Sequence, residues 1–137
     1  MPQLIKHIDA IARREQRDAL FCIFFEEYGG KPVLCDWQEN KSRKVIIEWL
    51  DANGYIWSKC GGTADVNVMQ SYVGSIYIDT PFDRNDPAYR NLETFLANPD
   101  GTMRFAEMMF CVLPLSNAME NADHDEPGFW KRWAENF

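Results

Sequence analysis

One histidine in the chain has acidic residues on both sides. His124 stands between Asp123 and Asp125, and Glu126 follows. An imidazole beside carboxylates could act as a general base or ligate a metal ion. A metal ion needs three or four ligands that converge in space, however, and consecutive loop residues cannot all point inward. We therefore expect no metal ion here and interpret these acids as the start signal of a helix, because they favour the positive end of its dipole.

A second acidic group, Asp79, Asp83 and Asp86, surrounds the end of one predicted strand and the start of the next predicted helix. Sites in α/β sheets gather at the carboxyl ends of strands, so these carboxylates could bind Mg²⁺ or perform acid–base chemistry, helped by His124. In the simpler interpretation, Asp86 caps the helix while Asp79 and Asp83 flank a Thr-Pro turn. A small enzyme with a carboxylate or metal site here remains an alternative hypothesis.

The cysteines and paired glycines favour structural roles. None of the four cysteines forms a C-x-x-C pair, and three lie in apolar runs, where a reduced thiol behaves as a small hydrophobic group. Cys60, at a predicted strand end beside Lys59, is expected to be the most exposed cysteine and is the candidate nucleophile, but no base is near it in the sequence. Gly29-Gly30 and Gly61-Gly62 match no phosphate-binding motif and indicate turns. We therefore expect no catalytic residue and no cofactor.

Apolar periodicity predicts the elements that position these residues. Helices are expected at 3–16, at 41–53 with Asn40 or Ser42 as its cap, from Asp86-Pro87 to Leu96, at 116–122 and after Pro127. In the first helix, Arg13 lies off the apolar arc, and His7 lies beside it at the expected edge of a packed face. Strands are expected at 18–25, 32–37, 55–60 and 72–79 and within 103–115, with a loop at 61–71. The run at 18–25 is apolar on both faces, which is typical of a central strand.

The order of these elements predicts an α+β fold in one domain, residues 1–137, with a mixed sheet of about five strands covered by helices. Two strand–helix–strand crossovers, 34–57 and 76–110, favour parallel strand pairs. The Gly29-Gly30 turn favours one antiparallel pair. In that pair, Phe24 is expected opposite Cys35 and Cys22 opposite Trp37.

The C-terminal segment has a narrow aromatic stripe. On a helix, Phe129, Trp130, Trp133 and Phe137 fall within an arc of about 100°. Exposed to water, such a stripe would be an apolar patch that promotes aggregation. We expect this amphipathic helix to dock on its own domain, with a second copy or another protein as the alternative, so these four residues are the interaction candidates.

Charge limits the partners. The chain has 14 basic and 21 acidic residues and a formal net charge of −7, which disfavours nucleic acid and suits a basic protein partner. The basic run 41–44 is interpreted as a solvated helix end. No stretch approaches the length of a membrane span, and residues 1–14 do not have the pattern of a secretory signal. We expect no membrane attachment and a cytoplasmic location.

These patterns favour a non-catalytic protein-binding module. Immunity and antitoxin proteins that plug basic nucleases share this size and charge, although the likeness is an analogy alone. The alternatives are the small enzyme described above and a structural homodimer joined through a strand edge or through the tail.

Overall fold

The computed structural model describes residues 6–28, 31–33, 37–64 and 72–135. The helices are α1 (Ile8–Glu15), α2 (Lys41–Ala52), α3 (Pro87–Leu96), α4 (Leu115–Ala118) and α5 (Phe129–Glu135). The strands are β1 (Ala19–Phe24), β2 (Glu26–Tyr28), β3 (Lys31–Val33), β4 (Trp57–Lys59), β5 (Ile76–Ile78) and β6 (Met108–Leu113). Two 3₁₀ helices, Trp37–Glu39 and Met119–Asp125, complete these elements. The α+β class is confirmed.

Four strands form one sheet in the order β4-β5-β1-β6, and every neighbouring pair is antiparallel. The central position of β1 is confirmed. The main sheet has four strands where about five were expected, and the expected parallel pairing is wrong, because its described strand pairs are all antiparallel. The 76–110 crossover does join two strands that run in the same direction, β5 and β6. However, β1 lies between them and pairs antiparallel with both, so the crossover creates no parallel ladder.

The hairpin after β1 is a separate two-stranded sheet. Tyr28 pairs with Lys31, so two residues connect β2 and β3, as a tight turn requires. Gly29-Gly30 and Cys35 lie outside the described residues. The expected pairing of β1 with the segment 32–37 is wrong. Phe24 pairs with Met108, and Cys22 lies between Ile76 and Phe110. Both edges of β1 are thus occupied by β5 and β6, and Trp37 begins a 3₁₀ helix instead of a strand.

Two helix starts follow the sequence signals. The Asn40 side chain accepts a hydrogen bond from the Arg43 amide and caps α2. Asp86 caps α3 through the Ala88 amide, with Pro87 in the first turn. Each cap satisfies an amide that has no partner within its helix, so both helices begin where the sequence predicts.

The first helix begins later than predicted, at Ile8. Residues 3–5 lie outside the described part of the chain, and Lys6 and His7 are extended rather than helical. The Gly61 amide donates to the carbonyl of Lys6 at 2.9 Å, and the Ile8 amide donates to the carbonyl of Gly61 at 3.1 Å. This backbone pairing beyond β4 uses the groups that a longer helix would need.

The side chains of the sheet alternate between two hydrophobic clusters, one on each face. The cluster under α2 and α3 contains Leu20, Cys22, Phe24, Ile46, Leu50, Ile76, Ile78, Tyr89, Leu92, Leu96 and Met108. The cluster under α1 and α4 contains Ile8, Ile11, Ala12, Ala19, Cys60, Tyr77 and Ala118. The pleat of β1 thus sends Leu20 and Cys22 to one layer and Ala19 to the other.

The last strand lies at an edge of the sheet, although its sequence is apolar on both faces. Met109 and Val112 are 49% and 38% exposed. The amide of Phe110 donates to the sulfur of Met103 at 3.3 Å. Met103 therefore partly covers the outer edge of β6.

Gly74 lies where another residue type would not fit. Its φ is +98°, and a Cβ atom there would lie 2.3 Å from the Cβ of Trp37. Gly54 also has a positive φ, +76°, but nothing lies within 4 Å of its hypothetical Cβ. A side chain at Gly54 would therefore cause backbone strain alone, whereas a side chain at Gly74 would cause both backbone strain and a steric clash with Trp37.

We expect Gly74→Ala to lower the free energy of unfolding by about 2–5 kcal/mol, because strain at positive φ and overpacking add. Gly54→Ala is the matched control and should cost about 1–2 kcal/mol from strain alone. Urea unfolding followed by circular dichroism measures both. Equal losses for the two variants would contradict the close contact of Gly74 with Trp37.

Candidate functional site

The three carboxylates Asp79, Asp83 and Asp86 each have a local structural partner. Asp79 follows β5 and forms an ion pair with Arg17, next to the hydroxyl of Tyr77. Asp83 accepts the amide of Asn85 at 2.9 Å in a turn, and Asp86 caps α3. The backbones of Asp83 and Asp86 are joined by a hydrogen bond of 2.9 Å. Asp83 is therefore a turn residue, and Asp86 is a helix cap.

The structure places His124 against the C-terminal helix. It lies in the 3₁₀ helix Met119–Asp125, stacked on Phe129 with a centroid distance of 4.5 Å. His7 lies close by, because both imidazoles contact Trp130, at 5.1 Å and 5.4 Å between centroids. Asp79, by contrast, binds Arg17 beyond the far end of α1. The predicted site of three aspartates with His124 is therefore not assembled by these contacts.

The C-terminal helix docks on the domain, as the sequence predicts. Phe129 and Trp130 pack on His124, and Trp130 contacts Trp133 at 5.4 Å between centroids. All three aromatic residues of α5 are half-buried, so the stripe is covered in part. Phe137 lies outside the described residues.

A buried ion-pair network that the sequence patterns did not indicate underlies this layer. Arg13, expected off the packed face, has only 5% of its surface exposed, and Asp9 has none. Arg13 binds Asp9 at 3.0 Å and both carboxylate oxygens of Asp125, at 2.7 and 3.0 Å. Asp9 also accepts from the side chain of Asn121 at 2.9 Å and the amide of Ala64 at 3.1 Å. These contacts tie α1, the loop after β4 and the Met119–Asp125 segment together.

Hydrogen bonding keeps the two carboxylates of this network ionised. Burial alone would raise the pKa of Asp9, but hydrogen bonds from Asn121, Arg13 and Ala64 bring it below its usual value. The hydrogen bond from Arg13 likewise lowers the pKa of Asp125. Asp125, expected as a possible helix start, is therefore an ion-pair partner.

We expect Arg13→Leu to destabilise the protein by about 3–5 kcal/mol, because Asp9 would stay buried without its cation. Arg14→Leu is the control, since Arg14 pairs at the surface with Glu15 and should cost at most about 0.5 kcal/mol. Denaturant midpoints of the two variants measure the difference. Similar midpoints would contradict a structural role for the network.

The described cysteines differ in access. Cys22 and Cys60 are fully buried, and Cys111 is partly exposed. Burial raises the pKa of Cys60 to about 12 and also raises the pKa of Cys22. The exposed position expected for Cys60 is therefore wrong, because its side chain points into the cluster under α1.

In a Cys35→Ser variant, we expect iodoacetamide near pH 8 to modify Cys111 first, with Cys22 and Cys60 reacting only after unfolding. Peptide mass spectrometry over time gives the order. The thiolate is the reacting species, and burial disfavours it at the two inner positions. Labelling of Cys60 as fast as Cys111 would contradict the burial of Cys60.

A groove lies between α2 and α3. Its volume is about 750 Å³, and its lining includes Trp49, Tyr55, Ile56, Asp79, Phe95 and Arg104. The ring of Trp49 stacks on that of Phe95 with centroids 4.1 Å apart and on that of Tyr55 at 5.2 Å. These three rings stack on one another and line one wall of the groove.

Exposed apolar and acidic groups meet at the rim of this groove. Ile56 is 69% exposed, the highest value among the large hydrophobic side chains described. Asp51 accepts from Trp57 Nε1 at 2.8 Å, and the amide of Asp79 donates to the carbonyl of Ile56 at 2.8 Å. Burial and the nearby carboxylate of Asp86 raise the pKa of Tyr55. Two carboxylates, Asp51 and Asp86, thus lie near Trp57 and Tyr55, while Asp79 contacts Ile56 through its backbone; local sequence patterns did not reveal this arrangement.

Within the described ranges, no three His, Cys, Asp or Glu side chains converge as a metal site requires. Among the helices described, none has the length and apolar character needed to cross a membrane. Comparison with protein-family models, curated protein sequences and solved structures finds no match.

Proposed function

We propose that this protein is a non-catalytic, cytoplasmic protein-binding module that presents the α2–α3 groove to a basic protein partner. The observation that carries the proposal is the exposure of Ile56 at the groove, between Tyr55 and Trp57, which lie near the carboxylates of Asp86 and Asp51. Interfaces commonly combine an apolar centre with a polar surround, and a side chain that is 69% exposed is available to a partner without rearrangement.

Charge favours a basic partner over other proteins. The chain has a net charge of −7, and Asp51 and Asp86 have neutral hydrogen-bond partners that leave their charges uncompensated. Asp79 is paired with Arg17, while Arg104 donates to the carbonyl of Thr94. Opposite charge accelerates association and selects partners more than it adds affinity.

The engagement of the reactive side chains supports a non-catalytic function. Asp9 and Asp125 hold Arg13, Asp86 holds a helix end, and the thiol of Cys60 is buried. Immunity or antitoxin proteins, which inhibit by occupying a basic enzyme, remain the analogy of choice for such an acidic binding module, and a regulatory protein would use the same surface.

Affinity capture from the native cell, with three forms of the protein, tests the proposal. We expect wild type to retain a basic protein that Ile56→Lys retains at least about tenfold less, because a charge would enter the apolar centre of the contact. Met119→Lys is the matched control: Met119 is 46% exposed on the opposite layer and should leave capture unchanged. Binding of the purified partner should weaken as salt is raised.

Two results would overturn the proposal. In one, no captured protein depends on Ile56. In the other, Met119→Lys reduces capture as much as Ile56→Lys does, which would place the contact outside the groove or attribute the loss to charge alone. Circular dichroism of both variants establishes that they are folded before capture is compared.

A further inference from the structure

Two cations and two aromatic rings form a cluster at the start of α2, beside the end of β4. The guanidinium of Arg43 lies over the ring of Trp37, 4.5 Å from its centroid. The Nζ atom of Lys59 lies 5.3 Å from the same centroid and 5.5 Å from that of Tyr72. The two rings meet edge to face at 5.0 Å. We call these four residues, which come from distant parts of the sequence, the basic cluster.

Arg43 is the buried member of the basic cluster. It belongs to the basic run 41–44, which was expected to be a solvated helix end, but only 8% of its surface is exposed. That expectation is wrong for Arg43, because Arg43, Ile46 and Leu50 follow one another at helical spacing on the buried side of α2. Lys41 and Lys44 are exposed, as expected.

Hydrogen bonds hold the guanidinium of Arg43 in place and leave one end of it open. Its Nε donates to the carbonyl of Gly74 at 2.9 Å, and its Nη2 donates to the hydroxyl of Tyr72 at 3.1 Å. The same hydroxyl donates to the carbonyl of Ser75 at 2.9 Å. Nη1 makes no hydrogen bond to the described groups, and it is not one of their buried unpartnered nitrogens, so it reaches the surface. Two N–H groups are therefore available there.

The charge of the basic cluster is not matched by a carboxylate. The ion pairs within the described ranges involve Arg13, Arg14 and Arg17, and none involves Arg43 or Lys59. Buried charges are normally paired, because their loss of hydration is costly, and Arg13 follows this rule. The rings offset part of the cost for Arg43 through cation–π contacts. Lys59 adds a like charge at the same ring, and the two cations repel each other.

We propose that Arg43 and Lys59 bind the phosphate group of a small ligand, while Trp37 and Tyr72 hold the two cations in position. Phosphate carries nearly two negative charges at about pH 7, which matches two cations, whereas a carboxylate would match only one. The open Nη1 supplies directed donors from a fixed guanidinium, and Lys59 supplies an exposed ammonium that can approach the same anion.

The site is separate from the binding surface proposed above and does not depend on it. Arg43 lies in the first turn of α2, whereas the residues of α2 that line the groove begin at Trp49. The net charge of −7 repels a long polyanion, so the site fits a single phosphate group better than a nucleic-acid backbone.

Fluorine NMR of the full chain labelled with 5-fluorotryptophan tests the site, with inorganic phosphate as the probe. We expect the Trp37 signal to shift and saturate at millimolar phosphate, because Arg43 and Lys59 both contact this ring. The Trp49 signal is the internal control and should stay unchanged, since Trp49 stacks on Phe95. Acetate at the same ionic strength and pH should produce no saturable shift of Trp37.

Variants of exposed lysines test whether the two cations act together. Lys59→Gln should raise the dissociation constant for phosphate at least about tenfold, because it removes a charge-assisted contact. Lys59→Arg keeps the charge and should retain binding. Lys44→Gln is the matched control: it removes the same charge from an exposed position of the basic run and should change the constant by less than about twofold, because solvent screens it.

Three results would overturn the proposal. In the first, Trp37 shows no saturable response to phosphate. In the second, acetate acts as phosphate does. In the third, Lys44→Gln weakens binding as much as Lys59→Gln, which would mean general attraction by surface charge. Circular dichroism establishes that the variants are folded. Should Lys59→Gln fail to fold, the comparison of phosphate with acetate in the wild type decides alone.

Discussion

The interaction on which one half of the molecule depends is the buried pairing of Arg13 with Asp9 and Asp125. A guanidinium has five donors in a rigid plane, so a single side chain can bind two carboxylates and the Ala118 carbonyl at once. No apolar side chain could specify three positions in this way. The network fixes how α1, the loop at Ala64 and the segment that carries His124 are placed, and thereby creates the surface on which α5 rests.

The sheet separates two regions with different physical character. On one face, the stacked rings of Trp49, Tyr55 and Phe95 line the groove, and Ile56 is exposed beside them. On the other face, an ion-pair network supports a short helix held by ring contacts.

Local signals in the sequence predicted what depends on neighbouring residues. Asn40 and Asp86 marked helix starts because capping needs only a side chain next to its own helix, and the apolar run of β1 indicated a central strand because burial on both faces leaves no polar position. Strand direction was not predictable, since a crossover helix is compatible with a third strand inserted between the two that it joins. The sheet therefore turned out antiparallel.

The functional surfaces were less visible in the sequence because they depend on distant pairs. Arg13 lies off the apolar arc of α1, and its burial makes sense only once Asp125 is beside it. His7 and His124 gave no common signal, because nothing local states that they share Trp130. The tail was predictable as an amphipathic helix that must dock, but not the imidazoles on which it docks.

The central position of β1 also constrains how the chain reaches this structure. Leu20 pairs with Ile78 on one side and with Val112 on the other. The strand β1 is therefore synthesised well before the two strands with which it pairs. During synthesis from the N-terminus, the apolar faces and the hydrogen-bonding edges of β1 have no partners until most of the chain has been made. Such long-range pairing slows folding and leaves an aggregation-prone segment uncovered in the meantime.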